Sequence, residues 1–362
     1  MSDPMVGRVD VVVVGLGVMG GAVAATLADR GMRVLGVDRA WPAHDGAASS
    51  GGSRILRRAY RSHPEYGRLT GPALAGWLAL QEQVSTQLFL PTGGLLVGRS
   101  DSAALRGAVA VAAADDVPYH VMDTGELRRR YGGLRFATDA VAFVDEEAGV
   151  LLAEPCVRAF HQLAVASGAE LRFGTTVDLA DLLRLWTDDH IVDCGGSTVR
   201  ADAVVLAIGA DVKGVGWPPV TTERTVSYWL APGDHAAALA PDRLPFVEWQ
   251  VAQGEFCLMP ALADGIKVKF HHTGQTVPPG AAPADTDSAE FDEARTMLAE
   301  LTGLRLAPLR SKPALYTNTA DGRFVVGGHP AAPGVVVVSA CSGHGFKFAP
   351  VIATEVVAVM SC

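Results

Sequence analysis

Two stretches of the chain consist almost entirely of apolar, largely β-branched residues, namely 9–15 (VDVVVVG) and 203–209 (AVVLAIG). Continuous runs of this kind are typical of parallel strands that are buried on both faces. The first run is followed by a glycine-rich turn, a helical pattern that ends at Gly31 and a strand pattern over 33–38. This order of elements predicts a parallel βαβ unit.

The rest of the chain alternates between helical and strand-like patterns. Helices are predicted over 64–90, 101–115, 124–131, 288–302 and 349–360, strands over 92–98, 170–174, 323–327 and 334–340, a strand and then a helix over 149–168, mainly strands over 221–272, and loops over 40–53 and 277–286. Because two strands lie near the C-terminus, we expect the chain to return there to its first domain.

These patterns predict an α/β protein in which a Rossmann-like dinucleotide-binding domain is interleaved with a mixed-sheet α+β substrate domain. We assign residues 1–82, 146–220 and 317–362 to the first domain, and residues 83–145 and 221–316 to the second.

Composition excludes several classes of protein. The formal net charge of −9 gives no indication of nucleic-acid or membrane-surface binding, and the basic cluster Arg128–Arg130 is expected to be a solvated helix end. Five scattered cysteines without CxxC spacing argue against a disulfide framework and a zinc site, and favour a reducing cytoplasm. No stretch has the length of a membrane span or the pattern of a signal peptide. We therefore expect a cytoplasmic monomer or homodimer.

The turn after the first strand has GxGxxG spacing through Gly15, Gly17 and Gly20. The spacing alone is weak evidence in a chain with 40 glycines, but here it follows a buried strand and opens a helix. That context predicts a pyrophosphate site at the helix N-terminus. Asp38, at the end of the second strand, is placed to accept the ribose hydroxyls and would repel the 2′-phosphate of NADP. The motif does not distinguish NAD from FAD.

Four later segments resemble the family of monomeric sarcosine oxidase and N-methyltryptophan oxidase, within the D-amino-acid-oxidase superfamily. The segments are SGGSRILRRAY (50–60), KVKFH (267–271), LYTNT (315–319) and SGHGFKFAP (342–350), in the family's order. The resemblance implies FAD, bound in an extended form with its isoalloxazine ring at the interface with the substrate domain. The implied cofactor-binding residues are Gly15, Gly17, Gly20, Asp38, Ser53, Arg54, Gly343, Gly345, Phe346 and Lys347.

The family's substrate-carboxylate site matches Arg57 and Lys347. An arginine binds a carboxylate through two parallel hydrogen bonds and a lysine adds a point charge, although a surface salt bridge is the alternative for Arg57. Arg54 matches an arginine near the flavin ring, where it tunes charge or orders the site.

On an alternating strand, Lys267, Lys269 and His271 share one face, which is either the catalytic face or the solvated side of an edge strand. By resemblance, Lys267 activates oxygen through water at flavin N5, and His271 orients the amine or keeps it neutral. The opposite face is expected for His272, so the two histidines form no chelating pair and we predict no metal. Tyr316 matches a pocket-lining aromatic residue, with ordinary core packing as the alternative.

Two positions depart from the family. The cysteine that commonly attaches FAD is replaced by Ala314, and Cys341 lies at the wrong point of its motif to substitute, so we expect non-covalent FAD. Cys257 stands in place of a substrate-pocket tyrosine, which leaves the substrate open.

The resemblance implies an oxidase of a secondary amine or of an N-alkyl or cyclic amino acid. Hydride passes from the C–H beside nitrogen to flavin N5, the product is an imine, and O₂ becomes H₂O₂. The alternatives are a flavin-dependent dehydrogenase, or a biosynthetic desaturase or aromatase of a cyclic amino acid, that uses another acceptor. An NAD-linked dehydrogenase and a non-enzymatic flavoprotein also remain open.

Overall fold

The computed structural model describes residues 7–278, 280–339 and 342–361, without the side chains of 187–189. The strands are β1 (Arg8–Val14), β2 (Val34–Asp38), β3 (Ser53–Leu56), β4 (Phe89–Leu90), β5 (Gly94–Arg99), β6 (Tyr119–Met122), β7 (Ala140–Asp145), β8 (Gly149–Leu152), β9 (Glu170–Phe173), β10 (Ile191–Asp193), β11 (Thr198–Leu206), β12 (Thr221–Ala231), β13 (Phe246–Val251), β14 (Gly254–Leu262), β15 (Gly265–His271), β16 (Thr276–Val277), β17 (Ala307–Asn318), β18 (Val325–Gly328) and β19 (Val335–Ser339). The helices are α1 (Val18–Asp29), α2 (Gly67–Val84), α3 (Ala103–Ala114), α4 (Thr124–Arg130), α5 (Ala153–Ala166), α6 (Leu179–Asp189), α7 (Ser288–Thr302) and α8 (Ala349–Met360).

The first sheet has the strand order β18-β19-β11-β1-β2-β9, with β10 paired to β11. Its central strands β19, β11, β1 and β2 are parallel. Val11, Val12 and Val13 of β1 are fully buried, which explains the uninterrupted apolar run. Helices α1, α5 and α8 pack together on one side of this sheet, so the last helix of the chain completes the first unit.

The second sheet has the order β16-β12-β15-β14-β13-β5-β7-β6, with β17 paired to β12. Most neighbours are antiparallel, but β13 and β5 are parallel, so the sheet is mixed. A small third sheet, β3-β8-β4, contains the segment that follows the long loop after β2. The predicted α/β fold with a mixed-sheet second unit is confirmed.

Strands of the first sheet come from residues 8–38, 170–206 and 325–339, and those of the second from residues 94–145 and 221–318. The two sheets therefore alternate along the chain. The domain limits given above stay a prediction. No helix in the part of the chain described by the structure is long and apolar enough to cross a membrane.

Most predicted elements are present, and the predicted helix 288–302 has the bounds of α7. The basic residues 128–130 form the exposed last turn of α4, as expected. The helix predicted over 64–90 is wrong at its end, because α2 stops at Val84, Ser85 takes a left-handed conformation, and β4 follows. Strand β17 is twelve residues long and is not among the predicted strands, since it contains Pro308 and Pro313. An outer strand that pairs with β12 alone tolerates prolines.

Candidate active site

A cavity of about 720 Å³ is lined by residues of both large sheets, the loop before β3 and the turn before α8. The predicted site residues that line it are Gly17, Ser53, Arg54, Arg57, Cys257, Lys267, His271, Tyr316, Gly343, Gly345, Phe346 and Lys347. Gly15, Gly20 and Asp38 do not line the cavity; they lie in the turn, in the first turn of α1 and at the end of β2, respectively. Cys341 lies outside the described residues.

The glycine turn opens α1 directly toward the cavity, which Gly17, Val18 and Met19 line. A Cβ at Gly20 would lie 1.7 Å from the carbonyl oxygen of Gly15, so only glycine permits this contact between helix and strand. Asp38 accepts a hydrogen bond from the Leu16 amide at 2.7 Å and so holds the turn to the end of β2. The helix terminus thus presents amide groups to the cavity, which fits a pyrophosphate.

Arg54 orders the loop between β2 and β3. Its guanidinium donates to the carbonyl oxygens of Ser53 and Ser50 at 2.8 and 2.5 Å, and lies 5.4 Å from the centroid of the Phe346 ring. It thereby joins this loop to the turn that precedes α8. These contacts support the ordering role predicted for Arg54.

Lys267 is buried at the cavity wall. Its Nζ donates to the carbonyl oxygens of Gly51 at 3.0 Å and Ser53 at 2.6 Å. Burial, with a further contribution from the nearby charge of Arg54, lowers the pKa of Lys267 well below its usual range. Since β15 lies between β12 and β14, its lysines are not on a solvated edge strand, and that alternative is wrong.

His271 and Tyr316 are joined by a hydrogen bond of 2.8 Å between Nδ1 and the hydroxyl oxygen. A Cβ at Gly343 would lie 2.8 Å from the Tyr316 ring and 2.9 Å from the His271 ring, so the C-terminal turn packs closely on this pair. Burial, and secondarily His272, lower the pKa of His271 well below its usual range. The His271 imidazole is therefore neutral at physiological pH.

The expected placement of His272 on the opposite face is wrong. Strand β15 ends at His271, and His272 has a φ of 58°, so the side-chain alternation stops there. The His272 ring centroid lies 4.3 Å from that of His271, and both rings line the cavity. Glu223 accepts a hydrogen bond from His272 Nδ1 at 3.0 Å and one from Asn318 at 2.8 Å. The pKa of Glu223 lies below its usual range, because burial would raise it but the hydrogen bonds from His272, Gly274 and Asn318 outweigh burial.

Sequence reasoning missed the two carboxylates that contact Arg57. Arg57 Nη2 donates to Glu248 Oε1 through a short hydrogen bond and to Glu255 Oε1 at 3.3 Å. Arg61 donates to the second oxygen of Glu255 at 2.9 Å. The Arg57 side chain is only 14% exposed, so the surface salt bridge considered above is excluded. The available signal was a glutamate within each of the apolar segments FVEWQV and GEFCLMPAL.

The charges of this cluster are strongly coupled. Burial raises the pKa of Glu248 to about 8, against the attraction of Arg57. Burial alone would raise the pKa of Glu255 as well, but Arg57, Glu248 and Arg61 hold it below its usual range. These opposite shifts favour the protonated form of Glu248 and the ionised form of Glu255 near neutral pH. With Cys257 they form a group spaced to hold a metal ion, but the Arg57 guanidinium already supplies their positive partner.

Lys347 is buried beside Arg57. Its Nζ donates to the carbonyl oxygen of His344 at 2.8 Å and lies 5.1 Å from the centroid of the Tyr60 ring. Burial and the charge of Arg57 lower the pKa of Lys347 to about 7. Two cationic groups at one wall of a cavity favour an anionic ligand there.

Comparisons with known proteins show which family and which solved structures this chain is similar to. The family model described as FAD dependent oxidoreductase matches residues 10–359. Monomeric sarcosine oxidase of Streptomyces avermitilis is 34% identical, over 96% of this chain and 92% of its own length. N-methyl-L-tryptophan oxidase of Yersinia pestis is 27% identical, over 94% and 91%. The structure of NikD, described as an unusual amino acid oxidase essential for nikkomycin biosynthesis, matches the fold with a TM-score of 0.80, at 24% identity over 98% and 94%.

Proposed function

The chain belongs to the family of FAD dependent oxidoreductases, and we propose that it is an oxidase of a secondary amine, in particular of an N-alkyl or cyclic amino acid. The observation that carries the proposal is that Arg57, whose side chain is 14% exposed, and the buried Lys347 line the same cavity as the neutral His271 and the buried Lys267. This set provides a carboxylate site, an amine contact and a positive charge within one cavity.

The residues fit the cofactor at both ends of the cavity. The α1 terminus at Gly17 suits the pyrophosphate, and the turn at Gly343 and Gly345 gives close backbone approach beside Phe346. FAD held there would supply the redox chemistry: it would accept a hydride from the C–H beside the amine nitrogen, the N–H proton would leave to give the imine, and the two electrons with two protons would reduce O₂ to H₂O₂.

Arg57 and Lys347 bind the substrate carboxylate in this proposal. The guanidinium offers a planar set of donors, and the Lys347 ammonium offers a point charge. Together they fix the position of the carbon whose hydrogen is removed. A carboxylate also compensates two cations that lie close together in a buried wall.

His271 and Tyr316 contact the amine. Oxidation needs a neutral amine, because an ammonium nitrogen has no lone pair to assist loss of the C–H hydrogen. A neutral imidazole accepts a hydrogen bond or a proton from the amine, and the contact with the Tyr316 hydroxyl fixes the orientation of the ring.

Lys267 supplies positive charge where oxygen is reduced. Its two carbonyl contacts hold Nζ in place, so the charge is pre-organised. Burial lowers the pKa of Lys267. A negative charge on a cofactor bound beside Lys267 would act in the opposite direction and favour the charged form of the lysine.

The experiment is a peroxide assay of the purified yellow protein with a panel of N-methyl and cyclic amino acids, each paired with the amine that lacks its carboxylate. We expect turnover of at least one amino acid and much weaker turnover of its paired amine. Absence of turnover with every carboxylate-bearing amine would contradict the roles of Arg57 and Lys347. Turnover with a dye acceptor but without oxygen consumption would identify a dehydrogenase instead.

A further inference from the structure

On the premise of that function, we propose that Glu248 is a specificity-determining residue that competes with the carboxylate of a ligand for the Arg57 guanidinium. Glu248 thereby sets how strongly the cavity prefers carboxylate ligands over neutral ones. The Glu248 side chain comes from β13, behind the cavity wall, and contacts Arg57 across 191 residues of sequence.

The N–H donors of Arg57 are few enough that Glu248 and a ligand carboxylate compete for them. A carboxylate binds a guanidinium through two nitrogens, either Nε with Nη2 or Nη1 with Nη2, so both arrangements use Nη2. Nη2 has two hydrogens, and here it donates to both Glu248 Oε1 and Glu255 Oε1. Nε is buried without a hydrogen-bond partner. In either arrangement a bidentate ligand therefore displaces one of the two glutamates from Nη2.

Glu248 is the glutamate whose pairing depends on Arg57. Glu255 keeps Arg61 and Gln250 as donors to its second oxygen, at 2.9 and 3.1 Å. Apart from the neighbouring Glu255, which is itself a carboxyl group, the polar contact that the structure gives to Glu248 is the Cys257 thiol, 3.8 Å from Oε1, and a thiol is a weak donor. Since Glu248 is 3% exposed, separation from Arg57 leaves a buried carboxyl group with little compensation. That cost opposes ligand binding.

The test uses the flavin-loaded protein and two probes of similar shape, furan-2-carboxylate and the neutral furan-2-carboxamide. Affinities are measured by calorimetry and by the change in flavin absorbance. At about pH 9, above the pKa of about 8 of Glu248, we expect Glu248→Gln to bind the carboxylate about tenfold more tightly, with little change for the amide. Glu290→Gln, which removes a carboxylate paired with Arg224 outside the cavity, should leave both affinities unchanged.

A double-mutant cycle assigns the effect to Arg57. In an Arg57→Gln background, Glu248→Gln should no longer improve carboxylate binding. If Glu248→Gln folds poorly, Glu248→Met makes the same test. Weaker or unchanged carboxylate binding in a folded Glu248 variant would overturn the proposal, as would absence of binding in both wild type and variant. These readouts need no turnover, so they are independent of whether an amine is oxidised.

Discussion

His271 Nδ1 lies 2.8 Å from the Tyr316 hydroxyl oxygen, although β12 separates the two strands that carry them. The contact therefore reaches across β12. It forms at the end of β15, just before the chain turns at His272. It places a titratable ring and a phenol at one wall of the cavity, beside the C-terminal glycine turn.

Tyr316→Phe should slow flavin reduction by roughly tenfold, because the phenol no longer orients the imidazole. Reduction is measured by anaerobic stopped flow as a function of pH. A change in the pH profile distinguishes an orienting role from a loss of packing. Tyr119→Phe, which removes a phenol stacked on Phe143 outside the cavity, is the control. An unchanged rate and profile in Tyr316→Phe would remove this contact from the chemistry.

Lys267→Met should slow reoxidation of the reduced flavin by O₂ by about 10²-fold, with a much smaller effect on reduction. The reason is that the charge assists electron transfer to oxygen. The two half-reactions are measured separately by stopped flow. Lys312→Met removes another cavity lysine, held by Ser50 and Asp45, and should not alter the ratio of the two rates. Equal slowing of both steps by Lys267→Met would contradict the oxygen role.

Arg57→Gln should lower kcat/KM for a carboxylate-bearing substrate by about 10²-fold or more, and affect the paired amine much less. Arg57→Lys should recover little of the lost kcat/KM, because an ammonium does not reproduce two parallel hydrogen bonds to the carboxylate. Steady-state kinetics on matched substrates makes the comparison. Similar losses for both substrates would indicate damage to the fold of the site.

FAD should leave the protein on acid precipitation, because Ala314 lines the cavity but has no nucleophile. Cys257 also lines the cavity, but burial raises the pKa of its thiol well above the usual range, so it is a poor nucleophile. The measurement is the absorbance of the supernatant and the mass of the denatured chain. A yellow pellet with the mass of a flavin adduct would refute non-covalent binding.

Binding of furan-2-carboxylate should weaken as pH rises from about 6 to 9. Lys347, with a pKa of about 7, loses its positive charge in this range, and Glu248, with a pKa of about 8, gains a negative one. Both changes oppose an anionic ligand. Among the described residues, the other titratable or charged groups around this cluster are Arg57, Arg61, Tyr60, Glu255, Cys257, Lys269, His271 and His344.

The pH dependence is measured by calorimetry at constant ionic strength. In Glu248→Gln, the affinity should change with pH only as Lys347 loses its proton. In Lys347→Met, the affinity should change with pH only as Glu248 loses its proton. Affinity that increases with pH would contradict both assignments.

The sequence by itself determined the local elements and the motif order. The apolar run of β1 and the spacing of Gly15 and Gly20 predicted a buried strand and a tight helix–strand contact, because each depends on neighbouring residues. The helix 288–302 followed from its amphipathic pattern, and the structure gives it the same bounds. Four motifs carried the family resemblance, and with it the cavity residues.

Only the tertiary structure decided the partners of those residues. The pairing of Arg57 with Glu248 joins a residue just after β3 to a residue of β13, and no local pattern encodes which buried glutamate meets which arginine. The position of His272 depended on where β15 ends, and the hydrogen bond between His271 and Tyr316 depended on the register of three strands. Contacts between distant segments are set by the packing of the whole chain, and that packing gives the cavity its charge.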